Sequence, residues 1–411
     1  MALTTPSPSC VCVDFLKEWA QQSRRNKDFP EVPKIKETQH YFPLGVHQST
    51  SGQNLTEHLR TVHGVISSRY PAIDRVALAT YDPLSDTLKT FVSSNKDGIR
   101  LDHYAARLAE VPSLKKLAEA RQSRVVDDID STFQAASPHT AWLIEREYRS
   151  SFTVPIFQAD QLTGFLFFDS KQPSAFDEAT ASFLEVFSGL ISQLYLLQLQ
   201  VVRGMVGTVH IASGLARIRD LETGQHLDRM TAYSQLMARA LASTYDLSDE
   251  FVEYVCLFAP LHDIGKVGIP DKVLLKPDNL DDEEWAIMRK HVEIGESIID
   301  QMAADLKLGN SLAFKVMRNI VSAHHERGDG SGYPKGLTMA EIPLEAKIVA
   351  VADVYDALSN RRPYKKPWFE AEIKAELMKE VTMGKLDRDC VTILLDAKEQ
   401  RMEIHQKHAD L

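Results

Sequence analysis

Apolar residues follow two different patterns along the 411-residue chain. In the N-terminal half they form short runs such as Arg75–Tyr81 and Gly164–Phe168 next to turn residues, and such runs predict β-strands. Leu55–Ile66 and Leu108–Ala120 instead carry the wider spacing of amphipathic helices. We therefore expect an α+β domain in which an antiparallel sheet is flanked by helices, with the terminal helices on one face.

A long apolar segment follows this domain, and its apolar side chains recur at alternating spacings of four and three residues. This heptad repeat consists of Phe183, Phe187, Leu190, Leu194, Leu197 and Val201. Packing on the sheet and a parallel two-helix stalk between two copies of the chain both explain it. We favour the stalk, and hence a homodimer through the 177–205 helix, because the repeat runs past the α+β domain. Polar residues within the segment, such as Glu185, favour a soluble helix over a membrane span.

From residue 208 onward the pattern is almost entirely helical, with prolines at the expected loops. We expect an N-terminal extension over 1–46, the α+β domain over 47–197 and an all-α domain over 198–411, with a long helix joining the two domains. The tail after Lys398 is polar, and we expect it to fray.

Histidines and acids with apolar flanks mark the candidate chemistry of the all-α part. His262 and Asp263 follow the apolar run Tyr254–Ala259, so we expect them at the end of a buried helix. Glu222 and His226 are spaced to lie on one face of a helix, where both can contact one ion. Further along come His291, the His324–His325 pair and Asp353, each in a segment with a helical pattern. Buried imidazole and carboxylate groups need partners, and a metal ion satisfies both.

Charge and cysteine content narrow the classes of function. The net charge of −10 argues against a nucleic-acid polymer as ligand, since proteins that bind one carry a basic surface. The four cysteines include no CxxC pair, which fits a reducing cytoplasm. No basic-then-apolar signal peptide precedes the chain's first domain. We expect a cytoplasmic protein without a membrane or nucleic-acid partner.

Three motifs resemble the HD-GYP domain family, bacterial metal-dependent phosphodiesterases of the HD superfamily that act on cyclic di-GMP. They are Leu261–Lys276, His324–Pro334 and Val351–Leu358, and the resemblance covers roughly 200–390. Residues 47–175 resemble the GAF domain, a common small-ligand sensor module, most clearly over Thr153–Ser170. That second likeness is a hydrophobic pattern without a cofactor signature. A pocket for an unknown small ligand and a ligand-free dimerisation module both agree with it.

The resemblance to HD-GYP proteins implies that eight side chains hold two or three divalent metal ions, with Asp263 bridging two of them. They are Glu222, His226, His262, Asp263, His291, His324, His325 and Asp353. Imidazole and carboxylate ligands without a thiolate favour iron first and manganese second. Glu222 is the residue that implies the third ion.

The same resemblance assigns the substrate contacts. Asp263 and Lys266 take the catalytic roles, and Lys266 also binds the phosphate or protonates the leaving oxygen. Arg362 and Lys365 correspond to anchors for the substrate phosphates. Tyr333 either stacks on a guanine base or serves only as a turn residue. Gly328, which replaces a bulky aromatic residue of the family pattern, is expected to loosen its loop.

The function implied is hydrolysis of cyclic di-GMP to linear pGpG, with GMP as a second candidate product, under control of the GAF-like domain. Two alternatives stay open. One is a sensor or adaptor that binds a cyclic dinucleotide without turnover, and the other is an HD phosphohydrolase for another cyclic dinucleotide such as cyclic GMP-AMP. The full ligand set favours the enzyme, since a pure sensor needs no activated water.

Overall fold

The computed structural model describes residues 55–83, 86–99, 101, 103–133, 138–217, 224–306, 311–360 and 367–408. The expected N-terminal extension over 1–46 lies outside these residues. Within them the predicted fold class is confirmed: an α+β domain with an antiparallel sheet is followed by a helical domain, and a long helix joins the two.

Six strands form a single sheet among the described residues, in the order β3-β2-β1-β6-β5-β4. They are β1 (Arg75–Asp82), β2 (Thr87–Asn95), β3 (Ala105–Arg107), β4 (Arg124–Val126), β5 (Ser150–Gln158) and β6 (Gln161–Ser170). Every neighbouring pair is antiparallel. A tight hairpin joins β5 to β6, and its turn places Ala159 at a positive φ of 52°.

Alternation along β6 gives the sheet two apolar faces. Leu166 and Phe168 point to one face, where they pack with helices α1 (Leu55–Arg69) and α5 (Glu178–Arg217). Phe165 and Phe167 point to the other face, which is covered by α2 (Pro112–Ala120). Two short helices, α3 (Ile129–Thr132) and α4 (Pro138–Glu145), form a smaller apolar cluster beside β4. The terminal helices therefore share one face, as the sequence predicted.

The predicted heptad repeat is divided between two environments on α5. Phe183 and Phe187 pack against the core of the sheet, which is the first of the two explanations offered for the repeat. Leu190 and Leu197 are 50% and 59% exposed, and Val186 beside them is 73% exposed. The exposed apolar stripe therefore consists of Val186, Leu190 and Leu197, and only its last two members belong to the predicted repeat.

One helix among the described residues, Glu178–Val202, is long and apolar enough by length and composition to cross a membrane. A third of that segment is buried in the protein. Leu184, Ile191 and Tyr195 supply the buried positions and pack in the core of the sheet. Helices that cover the core of a soluble domain pass the same test of length and composition.

The second domain is built from helices around one apolar core. The longer ones are α6 (Gly224–Leu241), α7 (Asp249–Phe258), α10 (His291–Leu306), α11 (Leu312–Ala323), α12 (Leu344–Ser359), α13 (Glu370–Thr382), α14 (Arg388–Asp396) and α15 (Lys398–Lys407). The short α8 (Asp271–Leu274) and α9 (Asp282–Met288) lie between α7 and α10. Ser248 caps α7 by accepting a hydrogen bond from the Phe251 amide. The buried face of α7 leads straight into the predicted metal-binding pair.

The fraying expected after Lys398 is wrong for Lys398–Lys407, which form α15. Arg401 explains why a polar segment stays helical, because its side chain is 2% exposed. Its guanidinium donates to Tyr355 Oη and Glu370 Oε1, both at 2.8 Å. A single buried arginine that donates to both neighbouring helices therefore holds this helix against α12 and α13.

The two domains touch through the first turn of α7. Asp249 Oδ2 accepts a hydrogen bond from Thr90 Oγ1 at 2.5 Å, and its Oδ1 accepts one from the His103 amide at 2.8 Å. Glu250, which is buried, accepts from Gln198 Nε2 on α5 at 3.2 Å. Acidic side chains in the first turn also suit the positive end of the helix dipole.

Candidate metal centre

Seven of the eight predicted ligands come together in two groups of donor atoms. One group contains Asp263, His291, His324 and His325, and the other contains His226, His262 and Asp353. Within each group the donor atoms lie within 4.8 Å of one another. The eighth predicted ligand, Glu222, lies outside the described residues.

Five elements bring these side chains together. His226 lies on α6, and Asp353 lies on α12. His262 and Asp263 lie between two short 3-10 turns that follow α7, Ala259–Leu261 and Ile264–Gly268. His291 is the first residue of α10, and His324 with His325 directly follows α11. Most of these side chains lie at or near a helix end, whereas Asp353 lies in the middle of α12.

Asp263 is shared between the two groups. Its Oδ1 lies 3.1 Å from His291 Nε2 and 3.7 Å from His324 Nε2, both in the first group. Its Oδ2 lies 3.2 Å from His262 Nε2, in the second group. One carboxylate therefore turns one oxygen toward each group, which is the arrangement that a bridging ligand requires.

Backbone carbonyls fix which nitrogen of three histidines faces the site. His262 Nδ1 lies 2.9 Å from the Ala259 carbonyl oxygen, and His291 Nδ1 lies 2.8 Å from that of Met288. His324 Nδ1 lies 3.1 Å from the carbonyl of Ile320. A carbonyl only accepts, so Nδ1 must carry the hydrogen in each ring. The neutral imidazoles therefore present the lone pair of Nε2 to the site.

The orphaned atoms of the first group fit a cation. His291 Nε2, His324 Nε2 and Asp263 Oδ1 are buried and make no hydrogen bond of normal geometry with any residue in the described parts of the chain. Lone pairs then face lone pairs at 3.1–3.7 Å, which costs free energy unless a positive charge lies between them. A divalent ion that accepts both imidazole nitrogen and carboxylate oxygen supplies that charge.

The protonation states agree with ligand roles. Burial acts to raise the pKa of Asp263, but the neighbouring Lys266 and histidines outweigh it and hold that pKa well below its usual range. Burial lowers the pKa of His324, and it lowers the pKa of His325 as well. The site therefore combines an ionised Asp263 with neutral imidazoles at His324 and His325, the forms that bind metals.

Two glycines let the backbone carrying Asp263 approach α10. A Cβ on Gly265 would lie 1.8 Å from the His291 carbonyl oxygen, so no larger residue fits there without a shift. Gly295, one turn further along α10, would place a Cβ 2.7 Å from Val321. This close packing brings His291 next to Asp263, and it needs glycine at both positions.

A buried carboxylate shapes the glycine-rich loop after His325. Glu326 is 2% exposed and accepts hydrogen bonds from the amides of Lys335 at 2.7 Å and Leu337 at 2.9 Å. The Tyr333 amide donates to the His325 carbonyl at 3.2 Å, which brings the two rings to 4.7 Å between centroids. Tyr333 therefore lies directly beside a predicted metal ligand rather than in a distant turn.

Gly328 does not loosen this loop, contrary to the expectation from sequence. Its amide donates to the Lys385 carbonyl at 3.0 Å, and its carbonyl accepts from the Met339 amide at 3.0 Å. A Cβ at this position would lie 2.3 Å from the Met339 side chain and 2.6 Å from the Gly384 carbonyl oxygen. The space of an aromatic side chain is filled by these neighbours, so glycine is the residue that fits.

The predicted substrate contacts are only partly within the described residues. Lys266 Nζ lies 2.9 Å from Asp263 Oδ2, so its charge is placed at the edge of the metal ligands. Helix α7 ends at Phe258 and 3-10 turns follow, so His262 and Lys266 do not lie on one continuous helix. Arg362 and Lys365 lie outside the described residues.

Sequence reasoning missed two groups of polar residues at the site. Arg289, exposed at the rim, places its guanidinium 5.2 Å from the centroid of the Tyr333 ring. Asp356 accepts from His226 and Arg229 behind the second group. A signal for the latter existed, because Arg229 follows His226 by three residues and Asp356 follows Asp353 by three, the spacing of one helix face.

Comparison with known families agrees with this division of the chain. Residues 54–194 match the GAF domain family, and residues 221–389 match the HD domain family. The chain contains a GAF domain followed by an HD domain. The HD match spans every described donor of both groups, so the metal-ligand geometry and the family assignment concern the same part of the molecule. HD domains bind divalent metal ions, and the residues present fit that role.

Relatives with curated names match up to about half of this chain. A 3'3'-cGAMP-specific phosphodiesterase of Vibrio cholerae is 41% identical over 170 residues, which is 41% of this chain and 30% of that protein. A cyclic di-GMP phosphodiesterase of Thermotoga maritima is 39% identical over 203 residues, 49% of this chain and 52% of that protein. The response regulator RpfG of Xanthomonas campestris, a cyclic di-GMP phosphodiesterase, is 43% identical over 188 residues, 45% and 46% of the two chains. The chain therefore spans about half or less of these relatives' length.

The close approach at Gly265 leads to a prediction. Gly265→Ala would force the Asp263 backbone away from α10, and we expect the metal content to fall by at least one equivalent. The free energy of unfolding should drop by about 3 kcal/mol, the upper end of typical overpacking costs. Gly268→Ala is the matched control, because its Cβ would meet only the Ile294 side chain. Elemental analysis and chemical denaturation measure both effects, and equal metal content in the two variants would contradict the packing argument.

Proposed function

We propose that the protein is a metal-dependent phosphodiesterase that hydrolyses cyclic di-GMP. The observation that carries the proposal is the Asp263 carboxylate, with one oxygen toward each group of donors. A carboxylate in this position supports two ions held close together, which is the usual requirement for hydrolysis of phosphodiesters. The names of the relatives support the same class of reaction.

The residues of the two groups would hold the ions, with Asp263 contributing to both. When bound at such a site, divalent ions neutralise negative charge on a phosphodiester and lower the pKa of water. Iron is our first choice and manganese our second, because the described donors are imidazoles and carboxylates without a thiolate. A third ion at Glu222 stays a prediction from sequence.

Side chains around the donors suit an anionic nucleotide. Lys266 supplies a positive charge beside Asp263, where it can bind a phosphate oxygen or protonate the leaving ribose oxygen. The Tyr333 ring lies 4.7 Å from the His325 ring between centroids, and the Arg289 guanidinium lies 5.2 Å from its centroid. An aromatic ring in this place offers a surface on which a purine can stack, with Arg289 as a partner for phosphate. The anchoring roles of Arg362 and Lys365 stay predictions from sequence.

Two alternatives belong to the same fold. A sensor would bind the dinucleotide without cleaving it, and the orphaned donors of the first group argue against a site without ions. A different substrate, a cyclic GMP-AMP dinucleotide, is supported by the name of the relative from Vibrio cholerae.

The choice of pGpG or GMP as end product depends on whether the linear dinucleotide is held for a second cut. The cytoplasmic location expected from the sequence stays a prediction.

The first test replaces the shared carboxylate. Asp263→Asn keeps the shape of the side chain and removes its charge, and we expect kcat to fall at least about a thousandfold, or ~4 kcal/mol of barrier. Asp300→Asn is the control, since Asp300 pairs with Arg318 on the surface. Product formation from cyclic di-GMP and from 3'3'-cGAMP is followed by chromatography with iron or manganese supplied under reducing conditions. Tight binding without turnover by the metal-loaded wild type would contradict the enzyme and support the sensor.

The GAF domain offers a cavity and a route to the HD domain, which supports its proposed regulatory role. A cavity of about 400 Å3 lies against Arg124, His139 and Phe167, a volume in the range of small-ligand pockets. His139 is also part of the wall of an adjoining pocket that reaches Thr90 and Asp249, the contact between the domains. Helix α7 begins at that contact and ends directly before His262 and Asp263. A change at the GAF pocket can therefore reach the metal ligands through one short helix.

This route is testable by hydrogen–deuterium exchange on the intact protein. Asp249→Ala removes the hydrogen bonds to Thr90 and the His103 amide, and we expect faster exchange in both Thr87–Asn95 and Ile264–Gly268. Asp282→Ala, at the start of the short α9, is the control. Faster exchange confined to Thr87–Asn95 would show that the interface does not reach the metal ligands.

A homodimer through α5 is part of the proposal, with the interface moved to the exposed stripe of Val186, Leu190 and Leu197. Spacings of four and seven residues place these side chains on one face of the helix, and apolar residues so exposed favour a partner. Leu190→Glu with Leu197→Glu would place like charges opposite each other, and light scattering should report monomers. Glu178→Gln on the same helix is the control. A dimer that survives the double substitution would place the interface elsewhere.

A further inference from the structure

His226 is held differently from the other histidines of the two donor groups. His262, His291 and His324 each direct Nδ1 to a backbone carbonyl. His226 Nδ1 instead lies 2.7 Å from a carboxylate oxygen, Oδ2 of Asp356. A backbone carbonyl is fixed by its helix, whereas a carboxylate has to be held in place by other side chains. The orientation of His226 therefore depends on whatever holds Asp356.

Asp356 is held by a set of buried donors. Its side chain is 3% exposed, and Arg229 Nε donates to Oδ1 at 2.6 Å while Arg229 Nη2 donates to Oδ2 at 3.1 Å. Asn360 Nδ2 donates to Oδ1 at 2.8 Å. Both oxygens of the carboxylate are therefore directed by neighbouring side chains.

The same arginine connects the site to the C-terminal end of the described chain. Arg229 Nη1 donates to the His408 carbonyl at 2.8 Å. His408 directly follows α15, the helix that Arg401 ties to Tyr355 on α12. The match to the HD domain family ends at residue 389, so α15 lies beyond it. A chain of hydrogen bonds thus runs from α15 through Arg229 and Asp356 to His226.

We propose that Asp356 is a positioning residue for His226, and that Arg229 and α15 hold Asp356 in place. The affinity of the second donor group for its ion then depends on a helix outside the matched HD region. A carboxylate behind a metal-binding histidine fixes the ring and makes its free nitrogen a stronger ligand. His226 belongs only to the second donor group, with His262 and Asp353, so the loss of one well-placed ligand weakens the binding of that group's ion. The inference rests on the proposed metal centre.

A purely structural role for the ion pair between Asp356 and Arg229 leads to a different prediction. It would contribute to the stability of the fold and leave the two donor groups equally affected. A positioning role instead separates the groups, because Asp356 contacts His226 and touches no donor of the first group in the hydrogen bonds among the described residues. Metal stoichiometry therefore distinguishes the two roles, and it does so without a measurement of turnover.

The experiment titrates manganese ions into the chelator-stripped full chain and follows binding by calorimetry. Asp356→Asn should weaken one ion by about 10- to 100-fold, the usual effect of removing a partner behind a metal ligand. The other ion should bind with unchanged affinity. Glu345→Gln is the matched control, because Glu345 is a buried carboxylate on the same helix whose partner is Asn319, away from the donors. It should leave both affinities unchanged.

Two results would overturn the positioning role: unchanged binding of both ions in Asp356→Asn, or an equal loss of both. Should that variant fail to fold, Asn360→Ala, which removes one donor to the same carboxylate, must still show a smaller loss confined to one ion. Wild type that binds no manganese at all would instead contradict the proposed metal centre itself. The failure of the inference and the failure of the proposed function are thereby told apart.

Discussion

The Asp263 carboxylate faces three imidazole nitrogens whose hydrogens point the other way. Since Nδ1 of His262 and His291 is committed to backbone carbonyls, their Nε2 lone pairs face the Asp263 oxygens at 3.2 and 3.1 Å. Acceptors opposed at this distance, away from water, repel each other unless a cation lies between them. The helical domain buries the three rings almost completely, so water does not separate their nitrogen lone pairs from the Asp263 oxygens. A metal ion turns that cost into binding free energy, so the stability of the domain and its chemistry are linked.

The fold produces this arrangement with helix ends. Helix α7 stops at Phe258, and the short 3-10 turns that follow turn His262 and Asp263 toward the first residue of α10. Glycine at 265 allows the two backbones to meet, and the loop held by Glu326 brings Tyr333 against His325. Carbonyls at the ends of helices are available as acceptors, which is why three histidines there find a backbone partner. The other end of α7 lies against the GAF domain, so one helix connects the proposed regulatory domain to the candidate metal ligands.

Sequence reasoning predicted the two-domain architecture and the residues that meet at the candidate metal centre, because hydrophobic periodicity and motif spacing are visible in the order of residues alone. It could not predict how those residues are supported. Asp356 is one of several acids on its helix, and only the contact with His226 and Arg229 distinguishes it. The heptad repeat predicts one continuous apolar surface, yet Phe183 packs on the sheet while Leu190 is exposed. The spacing of a repeat does not show which neighbouring element covers each residue. Tertiary contacts likewise decide that glycine suits position 328 and that the polar tail after Lys398 is helical.

Anomalous diffraction from crystals grown with iron or manganese tests the central claim most directly, because it locates ions without reference to activity. Data collected at the absorption edge of the supplied metal should show at least two peaks ~3.5–4 Å apart. One peak should lie among Asp263, His291, His324 and His325, the other among His226, His262 and Asp353, with Asp263 contacting both. Metal-supplied crystals with no peak in either group, or with a single ion and the Asp263 carboxylate turned away from it, would contradict the account.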